Sequence, residues 1–177
     1  MNNISSYSLI LGGEKALNKI SQTPRLDSEL LLAKVLKMGR DQFYCKDIFP
    51  ERKQIQAYDT LLKKRIQGTP VAYLTGCKEF WSLPLKVNQD TLIPRPETEH
   101  LVQQSLIKLD NLDKNYQILE LGTGCGAVAI ALAGERPKAS IVATDVSVKA
   151  LKIGKYNASK LHISNIQFIC SDWLSGI

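Results

Sequence analysis

With 177 residues, 44% of them hydrophobic, the chain is long enough to bury a core and too apolar for a disordered segment. No apolar run approaches the ~20 residues that span a bilayer, and Met1 to Ile20 lacks the basic start, apolar centre and cleavage site of a signal peptide, so a cytoplasmic protein without membrane association is expected. The formal charge of +6 admits a nucleic-acid partner, but the basic residues are scattered, with Lys63, Lys64 and Arg65 the one tight group, and stable nucleic-acid binding is not expected.

From Asn3 to about Gln67 the apolar residues recur at three- and four-residue steps, as in Leu26, Leu30, Leu31 and Val35, or Ile55, Leu61, Leu62 and Ile66. This reads as a helical domain, residues 1–69, with Thr23 and Pro24 as a helix start and Gly39 and Gly68 as stops. Residues 70–91 read as a linker β-hairpin. Two short antiparallel strands are expected around Glu79 to Trp81 and Leu85 to Val87, with Ser82-Leu83-Pro84 as an interruption and Phe80 and Trp81 as packing residues.

Residues 92–177 open with LIPRPETE (Leu92 to Glu99), a charged segment stiffened by Pro94 and Pro96. Its acidic first turn suits a helix entry, and the same residues could serve a ligand; both readings stand at this point. Next comes LELGTGCGAVAIALA (Leu119 to Ala133), an apolar strand broken by Gly122, Gly124 and Gly126 and followed by an Ala-rich helix. Strand, tight loop and helix N-terminus together make a cradle for an anionic or nucleotide-like ligand. A second strand, Ser140 to Val146, places Asp145 at the edge where the glycine loop lies, in position to accept from ribose hydroxyls. A third strand, Asn165 to Cys170, ends in Ser171-Asp172-Trp173, an acceptor and a flat apolar surface for an adenine ring.

Two cofactor classes fit this order. Gly122 to Ala127 satisfies the dinucleotide pattern G-x-G-x-x-G/A. Glu120 two residues before three alternate glycines favours S-adenosylmethionine instead, because a carboxylate there attracts the ammonium of its methionine end and repels a pyrophosphate. Cys45, Cys77, Cys125 and Cys170 lie far apart and only His100 and His162 accompany them, so neither metal nor disulfide is expected, and Cys125 is expected to be inert.

Taken together, LTGCKEFWSLPL, LIPRPETE, the glycine stretch, ATDVS, Asn157-Ala158 and SDW resemble the release factor glutamine methyltransferases, the PrmC/HemK family, over nearly the whole chain. The resemblance implies an α/β fold: a helical substrate-recognition domain, a hairpin, and the first half of a Rossmann-like class I S-adenosylmethionine-dependent methyltransferase domain with an incomplete parallel sheet. It implies methyl transfer from S-adenosylmethionine to the glutamine amide of the Gly-Gly-Gln motif of class I peptide chain release factors. Cofactor contacts would be Glu120, Gly122, Thr123, Gly124, Cys125, Gly126, Asp145, Asp172 and Trp173, with Arg95, Pro96, Thr98 and Glu99 on the substrate or lid side. The family's Asn-Pro-Pro-Tyr acceptor loop does not occur in the sequence, so no catalytic residue is assigned, and the chain is expected to be a monomeric fragment without turnover of its own. An adenine amino-methyltransferase acting on nucleic acid, an NAD-binding Rossmann protein and a non-catalytic binding module are the competing expectations.

Overall fold

The computed structural model describes residues 4–175; Asn3, where the helical stretch was expected to begin, and Ile177 lie outside the described residues. Contacts divide the chain into two units, with the break between Thr75 and Gly76. No helix among the described residues is long and apolar enough to cross a membrane.

The first unit is helical, as expected, and comprises α1 (Ser6–Leu17), α2 (Pro24–Leu36), α3 (Gln42–Cys45), α4 (Arg52–Ile66) and α5 (Val71–Thr75). Its core is Ile10, Leu31, Leu32 and Tyr58, with Val35, Phe43, Leu61 and Leu74 packed around them. Pro24 is the first residue of α2, but the Thr23 hydroxyl donates to the Asp27 carboxylate and caps no backbone group. The helix also stops before Gly39, because Lys37 takes the left-handed position at φ 53°. Gly68, at φ 95°, does follow the end of α4. Ile66, read as part of an apolar stripe, is exposed.

Gly13 marks a close helix crossing. The Tyr58 hydroxyl and Ser28 Oγ lie 2.7 Å apart and within hydrogen-bonding distance of two carbonyls of α1, Ser28 Oγ 3.0 Å from Ile10 O and the Tyr58 hydroxyl 3.1 Å from Leu9 O, so their two hydroxyl protons serve two of these three contacts at a time. A Cβ on Gly13 would overlap both hydroxyl oxygens. Gly13→Ala is therefore expected to lower stability by about 2–4 kcal/mol, through overpacking and the loss of buried hydrogen bonds. Thermal melts of the two chains check this.

In the second unit the chain forms a hairpin of β1 (Cys77–Phe80) and β2 (Leu83–Lys86), then a 3-10 turn at Pro96–Thr98 running into α6 (Glu99–Lys108). The hairpin corrects the sequence reading in register. Trp81 and Ser82, at φ 51° and 58°, form the two-residue turn, and Leu83 and Pro84 belong to β2. Proline is tolerated because Glu79 and Pro84 face each other as the pair next to the closing Phe80 and Leu83 pair, the position in a two-residue hairpin that exchanges no hydrogen bonds. The segment from Val71 to Thr75, expected within the hairpin linker, is helical and packs on α2 and α4.

A three-stranded parallel sheet follows, in the order β3-β4-β5: β3 (Gln117–Leu121), β4 (Ser140–Asp145) and β5 (Ile166–Cys170). The crossovers are α7 (Ala127–Glu135) and α8 (Val148–Lys160). Both crossovers step in the same direction across the sheet, so right-handed connections put both helices on one face. Ile141 and Ala143 are buried beneath them, while Leu119 and Leu121, pointing the other way, are 45% and 36% exposed. The expected helical domain, antiparallel hairpin and parallel sheet are all present.

Candidate functional site

The carboxyl ends of β3, β4 and β5 converge on one corner. Gly122 N and Thr123 N both donate to Thr144 O, at 2.9 and 2.8 Å, which folds the chain back over the end of β4 as soon as β3 finishes. Gly122, Gly124 and Gly126 follow with φ of 76°, 57° and 84°. At Gly126 the turn also needs close approach: a Cβ would meet Ile130 Cδ1 at 2.9 Å and the Gly154 backbone of α8 at 3.3 Å. At Gly122 and Gly124 a Cβ would meet nothing within 4 Å, so bare main chain borders open space.

Asp145, the last residue of β4, uses both carboxylate oxygens on the loop around it. Oδ2 accepts from Gly124 N at 2.8 Å and Oδ1 from Ser147 N at 2.8 Å. Each oxygen keeps a second lone pair for another donor. A cavity of about 150 Å³ opens beside it, lined by Gly122, Thr144, Asp145, Val146, Ser171, Asp172 and Trp173. Trp173 is 71% exposed at φ 51°, its carbonyl fixed by Ser171 Oγ at 2.9 Å. The topology thus brings Gly122, Asp145, Asp172 and Trp173 together around one cavity. Thr144, Val146 and Ser171 line it too and were missed by sequence reasoning, although each adjoins a residue that was named.

Glu120 does a different job nearby. Its Oε2 accepts from Thr123 Oγ1 at 2.7 Å and from Ala129 N at 3.0 Å, tying β3 to the first turn of α7. Burial is the main cause that raises its pKa above the ordinary 4.5. The bonds from Thr123 and Ala129 act in the opposite direction, and the Asp145 charge adds to the rise. A raised folded pKa means that the folded state holds this proton more tightly than the unfolded chain does. The stability that follows is complete below the ordinary value and is lost as pH rises through the folded value. Glu120→Gln, which keeps an acceptor for both donors, is expected to stabilise the chain at pH 7 and to lose that advantage at pH 4. An equal difference in melting temperature at both pH values would refute this.

Thr123 is buried and reaches Glu120 rather than the cavity. Cys125 is buried as well, and desolvation raises its thiol pKa to about 11. Iodoacetamide at pH 8 is expected to label the exposed Cys45, Cys77 and Cys170 and to spare Cys125, as peptide mass spectrometry can show.

The LIPRPETE residues are not brought together around that cavity. Glu99 Oε1 accepts from Trp81 N at 2.8 Å, while Glu135, at the far end of α7 from the glycine loop, accepts from Trp81 Nε1 at 2.8 Å. Both carboxylates clasp the hairpin turn and line a separate opening of about 520 Å³ with Glu79 and Ser82. Arg95 is exposed at the head of the 3-10 turn that contains Pro96 and Thr98, and its carbonyl accepts from Thr98 N at 3.0 Å.

Two family models match the chain: a PrmC N-terminal domain over residues 8–76 and a methyltransferase domain over residues 112–177. Among curated relatives, the release factor glutamine methyltransferase of Coxiella burnetii (strain RSA 493 / Nine Mile phase I) is 48% identical, the match covering 91% of this chain and 58% of that protein. The protein of the same name from Escherichia coli (strain K12) is 46% identical, covering 89% and 56%. This chain is therefore similar to release factor glutamine methyltransferases along about nine-tenths of its own length and spans somewhat more than half of theirs. A solved structure, the ribosomal protein L11 methylase from Lactobacillus delbrueckii subsp. bulgaricus, overlays with a TM-score of 0.40 at 26% identity, covering 46% of this chain and 41% of that one.

Proposed function

We propose that the chain is the N-terminal part of a release factor glutamine methyltransferase, and that the cavity at the ends of β3, β4 and β5 holds S-adenosylmethionine. The observation that carries this reading is the joint lining of one cavity by Gly122, Asp145, Asp172 and Trp173, three strand ends meeting at a single ligand edge. The residues fit the group. Gly122 and Gly124 leave main chain bare where it must come close, Asp145 has lone pairs to spare for ribose hydroxyls, and Asp172 with Trp173 offers an acceptor and an indole face for adenine.

The arrangement favours a sulfonium cofactor over a dinucleotide. A pyrophosphate relies on the free N–H groups of the first helical turn. Here Ala129 N is already bonded to the Glu120 carboxylate and Gly126 N to Thr123 O at 2.9 Å, and that carboxylate would repel a phosphate. An ammonium group, by contrast, is attracted by it. When bound, the cofactor supplies an activated methyl group. The chain's own residues supply position: the glycine loop and Asp145 hold the donor in one orientation, which is where rate enhancement in a bimolecular transfer begins. Thr123 and Cys125 act from beneath the loop as structure, not as contacts.

Class I peptide chain release factors are the proposed substrates and protein partners, met by a cytoplasmic, monomeric protein. The acceptor side is proposed to require the Asn-Pro-Pro-Tyr loop, so residues 1–177 alone are expected to bind cofactor weakly and to transfer no methyl group. Titration calorimetry with S-adenosylhomocysteine and NAD in parallel tests the site. Binding of the first alone supports the reading, and preference for NAD overturns it. Methylation of a release factor by this chain alone would sink the separate expectation that it does not turn over.

A further inference from the structure

We infer that Asn157, a buried residue of α8 outside the cavity, is a positioning residue that sets the glycine loop in its donor-binding form and links it to the β-hairpin. This inference rests on the cofactor reading above. Asn157 is 2% exposed, and its amide makes three hydrogen bonds. Oδ1 accepts from Lys86 N at 2.8 Å, Nδ2 donates to Lys86 O at 3.0 Å, and Nδ2 donates again to Cys125 O at 2.9 Å. One side chain thus holds both main-chain polar groups of a single residue of β2 and the carbonyl of the Cys125–Gly126 peptide.

That peptide could in principle turn over. Gly126 follows it at φ 84°, and glycine tolerates either hand of the backbone. Turning the peptide over would swing the Cys125 carbonyl away from α8 and would also turn Gly126 N away from Thr123 O, to which it donates at 2.9 Å. Asn157 supplies the donor that makes the inward orientation the favourable one, since a carbonyl left buried without a partner is costly. One turn earlier on the same helix, the bare Cα of Gly154 lies where a Cβ on Gly126 would come within 3.3 Å, so this face of α8 is the floor on which the loop rests.

Asn165 provides a matched control. It too spends its Nδ2 on main-chain carbonyls, those of Ala133, Arg136 and Ala139 at 3.4, 3.2 and 3.0 Å, but at the opposite end of α7 and β4 from the glycine loop. Asn157→Ala, Asn157→Asp and Asn165→Ala are to be compared in the 177-residue chain by thermal melting, by amide NMR of the glycine signals without ligand, and by affinity for S-adenosylhomocysteine. Asn157→Asp keeps the shape and the bond from Lys86 N while losing both donors. We expect both Asn157 variants to shift or broaden the Gly124 and Gly126 amide signals and to weaken S-adenosylhomocysteine at least tenfold. Asn165→Ala should lower the melting temperature and leave both readouts unchanged. Unchanged glycine signals in a folded Asn157 variant, or equal loss of affinity in the Asn165 variant, would overturn the inference. If the unsubstituted chain shows no affinity for S-adenosylhomocysteine, the cofactor reading fails, and the ligand-free glycine signals still decide whether Asn157 sets the loop.

Discussion

Asp145→Ala is expected to weaken S-adenosylhomocysteine binding at least about 100-fold, the largest effect of any single side chain in the cavity. The carboxylate holds Gly124 N and Ser147 N, both at 2.8 Å, and so organises the loop before any ligand arrives. Hydrogen bonds to a charged partner contribute about 1.5–3 kcal/mol each, and about 1.4 kcal/mol corresponds to a factor of ten in affinity. Losing the two internal bonds along with the proposed ribose contact therefore exceeds two factors of ten even if much of the loop adjusts. Asp145→Asn, which keeps one oxygen as acceptor and puts an NH₂ against a main-chain N–H, should fall between the two. Calorimetry, with saturation-transfer NMR where affinity is low, checks the order. A Kd for Asp145→Ala within threefold of the unsubstituted chain would remove Asp145 from the site.

How much of this was legible in the sequence depended on the range of the interactions involved. The parallel unit was readable because its signals are local: apolar runs at Ile118 to Leu121 and Ser140 to Val146, glycines at the break, and a strand-end aspartate whose position follows from the handedness of the crossover. Parallel pairing of β3 and β4 puts Asp145 at the same edge as the glycine loop. The hairpin register was not readable, because Trp81 and Ser82 occupy a turn normally given to asparagine and glycine. What holds Trp81 there is the pair of carboxylates of Glu99 and Glu135, 18 and 54 residues further on. The same long-range clasp explains why Glu99 looked like a ligand residue within a charged, proline-stiffened segment.

Glu120 shows how far charge and spacing reach. Its chemistry was inferred from charge and spacing, which correctly put a carboxylate next to the glycine loop, but its nearest partners are Thr123 Oγ1 and Ala129 N. Spacing along the sequence does not show which of two nearby partners, a ligand or the first turn of a helix, takes up an oxygen. Asn157 shows the opposite case. Asn157-Ala158 stood out as part of a motif, but what the Asn157 side chain does depends on Lys86 and Cys125, 71 and 32 residues away, which no local pattern shows.

Two glycines of the loop with nearly the same backbone angle should fail in different ways. Gly122→Ala and Gly126→Ala each force a side chain into the left-handed region, at φ 76° and 84°, and each carries about 1–2 kcal/mol for that alone. Beyond this they part. The new methyl at position 126 would stand 2.9 Å from Ile130 Cδ1 and 3.3 Å from the Gly154 main chain; the first can rotate aside, the second cannot. Overpacking of this kind adds about 1–3 kcal/mol, so Gly126→Ala should be the more destabilised by a clear margin, visible as a lower melting temperature. At position 122 the methyl meets no protein atom within 4 Å and points into the space beside the cavity, so stability should fall only by the conformational cost. Its damage should appear in affinity instead, because it occupies the approach to bare main chain that a bound cofactor needs; S-adenosylhomocysteine should bind at least about 30-fold more weakly, equivalent to about 2 kcal/mol. Melting curves and calorimetry on the two variants give a crossed result if the loop works in this way. If Gly122→Ala binds as well as the unsubstituted chain, the open space at Gly122 is not where the ligand lies, and the cofactor has to be sought elsewhere along the strand ends.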